Sequence, residues 1–206
     1  MKILNVKDFE NGLKLIDVGR FDDQRGYFME TFRKSQLGEI IGKDLIVQGN
    51  ESFSLPHVMR GLHFQSNPFM GKLVRTISGH MIDICLDIRK GSPTCGKAYL
   101  IDMPEPPDKL QWIWVPPGFA HGNMFIAPTR IEYLCTGEYT GKSEFCISPF
   151  AHDIEWIVDE DNLMQGKILE EFLNGQPIIT DKDRDGMSLK DWAENPAAEE
   201  FTYGKC

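Results

Sequence analysis

Three clusters in this 206-residue sequence hold side chains able to do chemistry. The first is FDDQRGYFMETF at 21–32, where Gly26 offers a turn, Arg25 precedes it, and Phe28, Glu30 and Phe32 follow at alternating positions. The same spacing also describes an edge strand with one polar face. The second is MRGLHFQ at 59–65, a strand that sets Gly61, His63 and Gln65 on one face. His63 could be a metal ligand, a base or a satisfied structural histidine. Nearby Lys72, in GKLVR, is a solvated strand charge unless it points inward. The third is WVPPGFAHG at 114–122. Pro116, Pro117 and Gly118 make a tight turn and His121 follows it, either as a functional group where a turn meets a strand or as the exposed histidine of a hairpin. Histidines titrate near neutrality and so suit proton transfer.

These clusters sit in a chain whose first two thirds read as β. KLVRTISGHMIDICLDIR, residues 72–89, splits into two strands around Gly79 and His80. In its second half Ile82, Ile84, Leu86 and Ile88 alternate with Asp83, Cys85 and Asp87, the pattern of a half-buried strand. KAYLIDM, QWIWV, GNMFIA and RIEYLCTGEY continue the series between turn-rich RKGSP, PEPPDK, PPG and APTR. Short strands at regular spacing predict an all-β sandwich or barrel. The last third changes character. Leu163, Met164, Ile168 and Phe172 have helical spacing, with Asn174–Gly175 as a stop. Ser188 and Asp191 form a capping-box pattern before a short helix around Trp192, which Pro196 ends. The final PAAEEFTYGKC reads as a loosely held terminus. No linker divides the chain, so one domain over 1–206 is expected, with its core at about 21–183 and a tail over 184–206.

Composition narrows the function. Hydrophobic residues make up 41% and charged residues 26%, which excludes disordered, collagenous and coiled-coil classes. A chain of this length buries roughly 70% of its unfolded surface and needs no covalent or metal staple. The net charge of -9 argues against a nucleic-acid binder, yet a few local Arg and Lys can still build a pocket for a small anion. Five cysteines without a CxxC pair suit a reduced compartment. No apolar run approaches the roughly 20 residues that span a bilayer, and charges interrupt the N-terminal segment. A cytoplasmic protein without membrane or nucleic-acid partners is expected.

Together, MRGLHFQ and PPGFAHG resemble the two motifs of the cupin barrel. Metal-binding cupins carry H-x-H in the first motif. Here it reads His63-Phe64-Gln65, while P-x-G-x-x-H is present from Pro116 to His121. A divalent site needs three or four placed donors, so metal-free chemistry is expected.

The resemblance is closest to the dTDP-4-dehydrorhamnose 3,5-epimerase family. The matching segments are F-x-D-x-R-G-x-F-x-E-x-F at 21–32, Q-x-N-x-S-x-S at 48–54, R-G-L-H-F-Q at 60–65 and G-K-L-V-R at 71–75. W-V-P-P-G-F-A-H-G at 114–122, Y-x-C-T-x-x-Y at 133–139 and P-I-I-T-D-K-D at 177–183 complete the ordered set. The resemblance implies a cupin-type antiparallel jelly-roll barrel with short helices in the C-terminal third, usually a homodimer. It implies inversion at C3, C5 or both of a nucleotide-linked 4-keto-6-deoxyhexose. A ketone acidifies the neighbouring C–H, so a base removes that proton to give an enolate and an acid returns one to the opposite face. No cofactor is required. By position His63 is the base, Asp183 orients it and Tyr133 is the acid. Lys72 stabilises the enolate oxygen and His121 lines the same pocket. Arg25, Glu30, Gln48, Asn50, Arg60, Glu144 and Lys182 bind the nucleotide diphosphate or sugar. Arg25 and Arg60 meet the diphosphate, and Tyr139 stacks on the base. Some of these residues come from the partner subunit. Met70, Asn123, Glu138 and Trp112 stand where the family commonly has Gln, Phe, Tyr and a polar residue, beside the pocket or its edge. A non-catalytic sugar-nucleotide-binding cupin, a 3,4-ketoisomerase and a metal-dependent dioxygenase or isomerase cupin are the competing readings.

Overall fold

Alternating side chains lay down short strands, and the strands sort their apolar residues into three layers. The computed structural model describes residues 1–9, 11–42, 46–158 and 162–205, without the side chain of Leu163. The chain begins with β1 (Ile3–Asp8), β2 (Lys14–Gly19), the short pair β3 (Phe21–Asp23) and β4 (Gly26–Phe28), and helix α1 (Lys34–Ile41). β5 (Gln48–Ser54), β6 (Met59–Gln65), β7 (Lys72–Ser78), β8 (His80–Asp87) and β9 (Lys97–Pro104) follow. Next come β10 (Lys109–Val115), β11 (Phe119–Phe125), β12 (Thr129–Cys135), β13 (Glu144–Cys146) and β14 (Glu155–Ile157). The C-terminal third holds α2 (Leu163–Asn174), α3 (Asp181–Arg184), α4 (Leu189–Glu194) and a 3-10 turn over Pro196–Glu200. None of the described helices is long and apolar enough to cross a membrane.

Two six-stranded sheets form the all-β jelly roll, in the orders β1-β2-β10-β7-β12-β5 and β13-β6-β11-β8-β9-β14. All pairs are antiparallel except β14 on β9. Val74, Met81, Cys85, Ile113, Phe125 and Ile131 pack in one apolar layer, drawn from both sheets. Helices cover the sheets elsewhere. Leu37 and Ile41 of α1, one turn apart, pack with Ile16, Leu73 and Trp112 of the first sheet. Leu169, Phe172 and Trp192 pack with Ile82, Ile84 and Leu86 of the second.

Four features depart from the sequence reading. First, β8 is buried on both faces rather than half-buried. Its aspartates point into the protein because each meets partners there. Asp87 is fully buried and accepts from Arg89 Nε and Nη2 at 2.9 and 2.7 Å and from Ser92 and Thr94 hydroxyls at 2.6 Å. Second, α1 was not expected within the β-rich part. Its two buried apolar residues are its main signal, and no side chain caps its N-terminus. Third, Trp112 lies away from the pocket. It is fully buried under α1, donates from its indole to the Thr31 carbonyl at 3.0 Å, and carries the Arg75 guanidinium on its ring. Fourth, the C-terminal tail is not loose. Phe201 is fully buried among Phe64, Phe69 and Trp192, at centroid distances of 5.0–5.5 Å, and the Lys90 backbone donates to the Phe201 carbonyl and accepts from the Tyr203 N–H. The helix read from the spacing of Leu163, Met164, Ile168 and Phe172 forms over Leu163–Asn174, capped by Asn162, and the Ser188–Asp191 capping box forms as read.

Phe201→Ala removes the ring that closes this aromatic cluster and is expected to cost about 3–5 kcal/mol. Urea unfolding should show a lower midpoint at unchanged slope.

Candidate active site

The strand β6 approaches β11 more closely than side chains allow. A Cβ on Gly61 would stand 2.6 Å from the Gly122 Cα and the His121 carbonyl oxygen, and one on Gly122 would stand 2.4 Å from the Arg60 oxygen. Gly61 also holds φ +105, a conformation open to glycine. The pairing shifts here: His121 faces His63, yet Asn123 faces Arg60, so β6 carries an extra residue. In a regular strand Arg60 and His63, three apart, would take opposite faces. The bulge lets both line one cavity of about 740 Å³.

The second sheet supplies one wall of this cavity with Arg60, His63, His121, Asn123 and Glu144. The first supplies the other with Gln48, Asn50, Lys72, Tyr133 and Cys135. The segment 178–183 completes it. Backbone bonds pin that segment at both ends: Met59 N to the Ile178 oxygen at 3.0 Å, and Met187 N to the Cys146 oxygen at 2.9 Å. Thr180 caps α3 by accepting from the Asp183 N–H.

Pinned there, Asp183 is buried and accepts twice. The Gly61 N–H donates to Oδ2 at 3.1 Å and the His63 Nε2–H donates to Oδ1 at 2.8 Å. Burial pushes the Asp183 carboxyl up, but the bonds from His63 and Gly61 outweigh it and hold the group below the usual carboxylate value. A carboxylate on Nε2 leaves Nδ1 as the basic nitrogen. Tyr133, on the opposite sheet, is pushed up by burial and keeps its phenolic proton at neutral pH. Lys72 points inward, donates to the His63 carbonyl at 3.3 Å, and is lowered by burial.

Deeper in the protein, His121 is buried rather than exposed on a hairpin. Its Nε2–H donates to Asp83 at 2.9 Å, and burial pushes its pKa down, so it stays neutral. Asn123 donates to the same carboxyl at 2.9 Å. At the mouth, Lys182 pairs with Glu144, and Tyr139, largely exposed, donates to Glu144 at 3.2 Å. Burial raises the Glu144 carboxyl, yet the Lys182 contact and the His63 charge leave it lowered overall. Gln65 fastens the adjoining loop by donating to the Pro68 and Glu138 oxygens and accepting from Thr140 N–H.

Eleven of the thirteen residues expected from the sequence therefore line this one cavity. Arg25 and Glu30 do not. Arg25 is exposed on the β3–β4 hairpin and pairs with Asp23, while Glu30 pairs with Arg33 and the N-terminal amine. Sequence reasoning missed Asp83, Gln65 and Cys135 as parts of the site. Asp83 left one signal, an acid on the polar face of an otherwise apolar strand. Of the four departures from the family pattern, Met70 and Asn123 do line the cavity.

Asp183 has two donors to satisfy, and an amide has one acceptor oxygen. In Asp183→Asn that oxygen stays with the Gly61 N–H, which cannot change, so the NH2 faces His63. The imidazole should move its proton from Nε2 to Nδ1. Nitrogen-15 NMR of the ring reads this directly, and an unchanged tautomer would count against the assigned roles of these bonds.

A family model described as dTDP-4-dehydrorhamnose 3,5-epimerase matches residues 10–191. The Shigella flexneri dTDP-4-dehydrorhamnose 3,5-epimerase is 34% identical over 176 residues, covering 83% of this chain and 87% of that protein. The Methanothermobacter thermautotrophicus enzyme of the same name is 34% identical over 192 residues, covering 93% and 95%. Among solved structures, the Legionella pneumophila dTDP-6-deoxy-D-glucose-3,5-epimerase in complex with dTDP-4-keto-L-rhamnose superposes with a TM-score of 0.76. It is 32% identical and covers 90% of this chain and 93% of its own. On this evidence of sequence and fold, the chain belongs to the dTDP-4-dehydrorhamnose 3,5-epimerase family and is an isomerase.

Proposed function

We propose that this enzyme inverts C3, C5 or both of a nucleotide-diphosphate-linked 4-keto-6-deoxy sugar by proton transfer through an enolate. The observation that carries this reading is the opposition of two proton-transfer groups. His63, oriented by Asp183, comes from one sheet, and Tyr133 comes from the other, across one cavity. An inversion needs a base on one face and an acid on the other.

The steps follow from these groups. His63 Nδ1 removes the proton beside the ketone. Asp183 stabilises the imidazolium that forms. Negative charge grows on the ketone oxygen, and Lys72 supplies N–H donors for it in a site where burial strengthens the interaction. Tyr133 then gives its proton to the other face and recovers one from solvent, while the His63 imidazolium releases its proton to solvent. Arg60 and Lys182 suit the diphosphate, Gln48, Asn50 and Glu144 the polar groups of the nucleotide or sugar, and exposed Tyr139 the base. His121 remains a neutral wall of the pocket.

A homodimer is part of the proposal. Arg25 and Glu30 lie outside their own chain's cavity, and Phe21, Tyr27 and Phe28 stand exposed on the same hairpin. An apolar hairpin carrying an arginine suits delivery into a partner's site. We also infer one domain over the whole chain, since the second sheet shares one apolar layer with the C-terminal helices and another with the first sheet. A cytoplasmic setting is supported by the free thiols of Cys85, Cys95, Cys135 and Cys146.

The test is proton exchange in D2O, read by NMR, with dTDP-4-keto-6-deoxyglucose and with GDP- and CDP-linked 4-keto sugars in parallel. Deuterium should enter at C3, C5 or both for one of them. His63→Ala and Tyr133→Phe should each lower the rate of epimerised product by about 10²–10⁴-fold. Binding without exchange would identify a non-catalytic cupin instead. Light scattering at micromolar concentration should give twice the monomer mass, and a monomer would remove the roles given to Arg25 and Glu30.

A further inference from the structure

The antiparallel register places Cys146 of β13 directly opposite His63 of β6, and α3 brings Asp183 to the same point. One ring nitrogen of His63, the Cys146 sulfur and a carboxylate oxygen of Asp183 lie within 4.8 Å of one another. Cys146 and Asp183 are buried, and His63 is half-buried. The proton-transfer chemistry above makes no use of this thiol. Its hydrogen bond is a weak one, to the Ile147 carbonyl at 3.5 Å.

We propose that His63, Cys146 and Asp183 form an inhibitory Zn²⁺ site, filled at the expense of the hydrogen bond between His63 and Asp183. An imidazole, a thiolate and a carboxylate are a mixed donor set that suits this borderline-soft ion. Zinc takes three such protein ligands tetrahedrally and leaves the fourth position to water. Its bonds of about 2.0–2.3 Å put neighbouring ligand atoms about 3.3–3.7 Å apart. The most distant pair must therefore close by about an ångström and the His63–Asp183 pair must open by about half of one, which side-chain torsions can accommodate.

The protons balance as follows. Burial, reinforced by the Asp183 charge, pushes the Cys146 thiol up to about 12, so the site starts as a protonated thiol. Zinc binding forms the S–Zn bond, breaks the S–H bond and releases that proton to solvent. When zinc takes Nε2, the ring proton moves to Nδ1. One proton leaves the protein per zinc, and the apparent affinity for zinc rises about tenfold per pH unit. The consequence for catalysis rests on the reading of His63 as the base: Nδ1 now carries a hydrogen and cannot accept one. The binding itself does not rest on that reading.

Cobalt(II) is the spectroscopic probe. Titrating the metal-free protein should give a thiolate-to-cobalt charge-transfer band that saturates at one equivalent per chain, and zinc should abolish it. Cys146→Ala should lose the band. Cys146→Ser serves the same purpose if the alanine variant does not fold. In the isotope-exchange assay, zinc should suppress the wild-type rate. The Cys146 variants should keep the metal-free rate and need more than about tenfold more zinc for half-inhibition. A cobalt complex without the thiolate band, or Cys146 variants as sensitive to zinc as the wild type, would overturn the proposal. If the metal-free wild type exchanges no deuterium, the epimerase reading fails while the cobalt titration still decides the metal site.

Discussion

Two backbones meet at Gly61 and Gly122 with no room for a Cβ between them. Much of the site depends on that contact. It forces the extra residue into β6, and the extra residue turns both Arg60 and His63 inward. It also leaves the Gly61 N–H unused by β11 and free to donate to Asp183. The carboxylate is thus fixed by the same irregularity that presents the histidine. A larger residue at either glycine would separate the strands, and the orientation of His63 would go with them.

The apolar layers hold this arrangement in place. The cavity is walled by both sheets, so its width is set by the interior packing of Val74, Ile113, Phe125 and Ile131 rather than by loops. The C-terminal helices do more than cover β8 and β9. The segments between them anchor the chain on both sides of Asp183, because Ile178 bonds to the start of β6 and Met187 bonds to β13. Asp183 is therefore positioned from two strands of the sheet that carries His63. Polar groups away from the His63–Asp183 pair, such as Asp83 and Gln65, hold His121 and the 138–140 loop. Each is buried with its partners satisfied, as a low-dielectric interior requires.

Much of this was legible in the sequence, and the failures have physical causes. Period-two runs marked β6 through β12, the helical spacing of Leu163, Met164, Ile168 and Phe172 marked α2, and the capping signal at Ser188 marked α4, because these patterns are local. Resemblance to a family identified eleven cavity residues, since ordered motifs carry side-chain identity directly. Alternation cannot say whether a polar face meets water or other polar groups, so β8 was taken as half-buried. A strand bulge has no periodic signature, so bottom-up spacing put His63 with Gln65 and gave no reason to join Arg60 to them. The tail was taken as loose because a terminus has few local constraints, yet Phe201 is held by the distant Phe64 and Trp192. Trp112 was misplaced for the same reason: its partner, α1, was not visible in the pattern.

The two halves of the His63–Asp183 pair lie 120 residues apart in the chain. A ribosome extending this protein makes the strands of the barrel first and the carboxylate after them. Until Asp183 has emerged, the histidine has no group to select its tautomer, and the barrel wall beside β6 is open. The imidazole thus takes its orientation only when the segment carrying Asp183 has docked on the strands made before it.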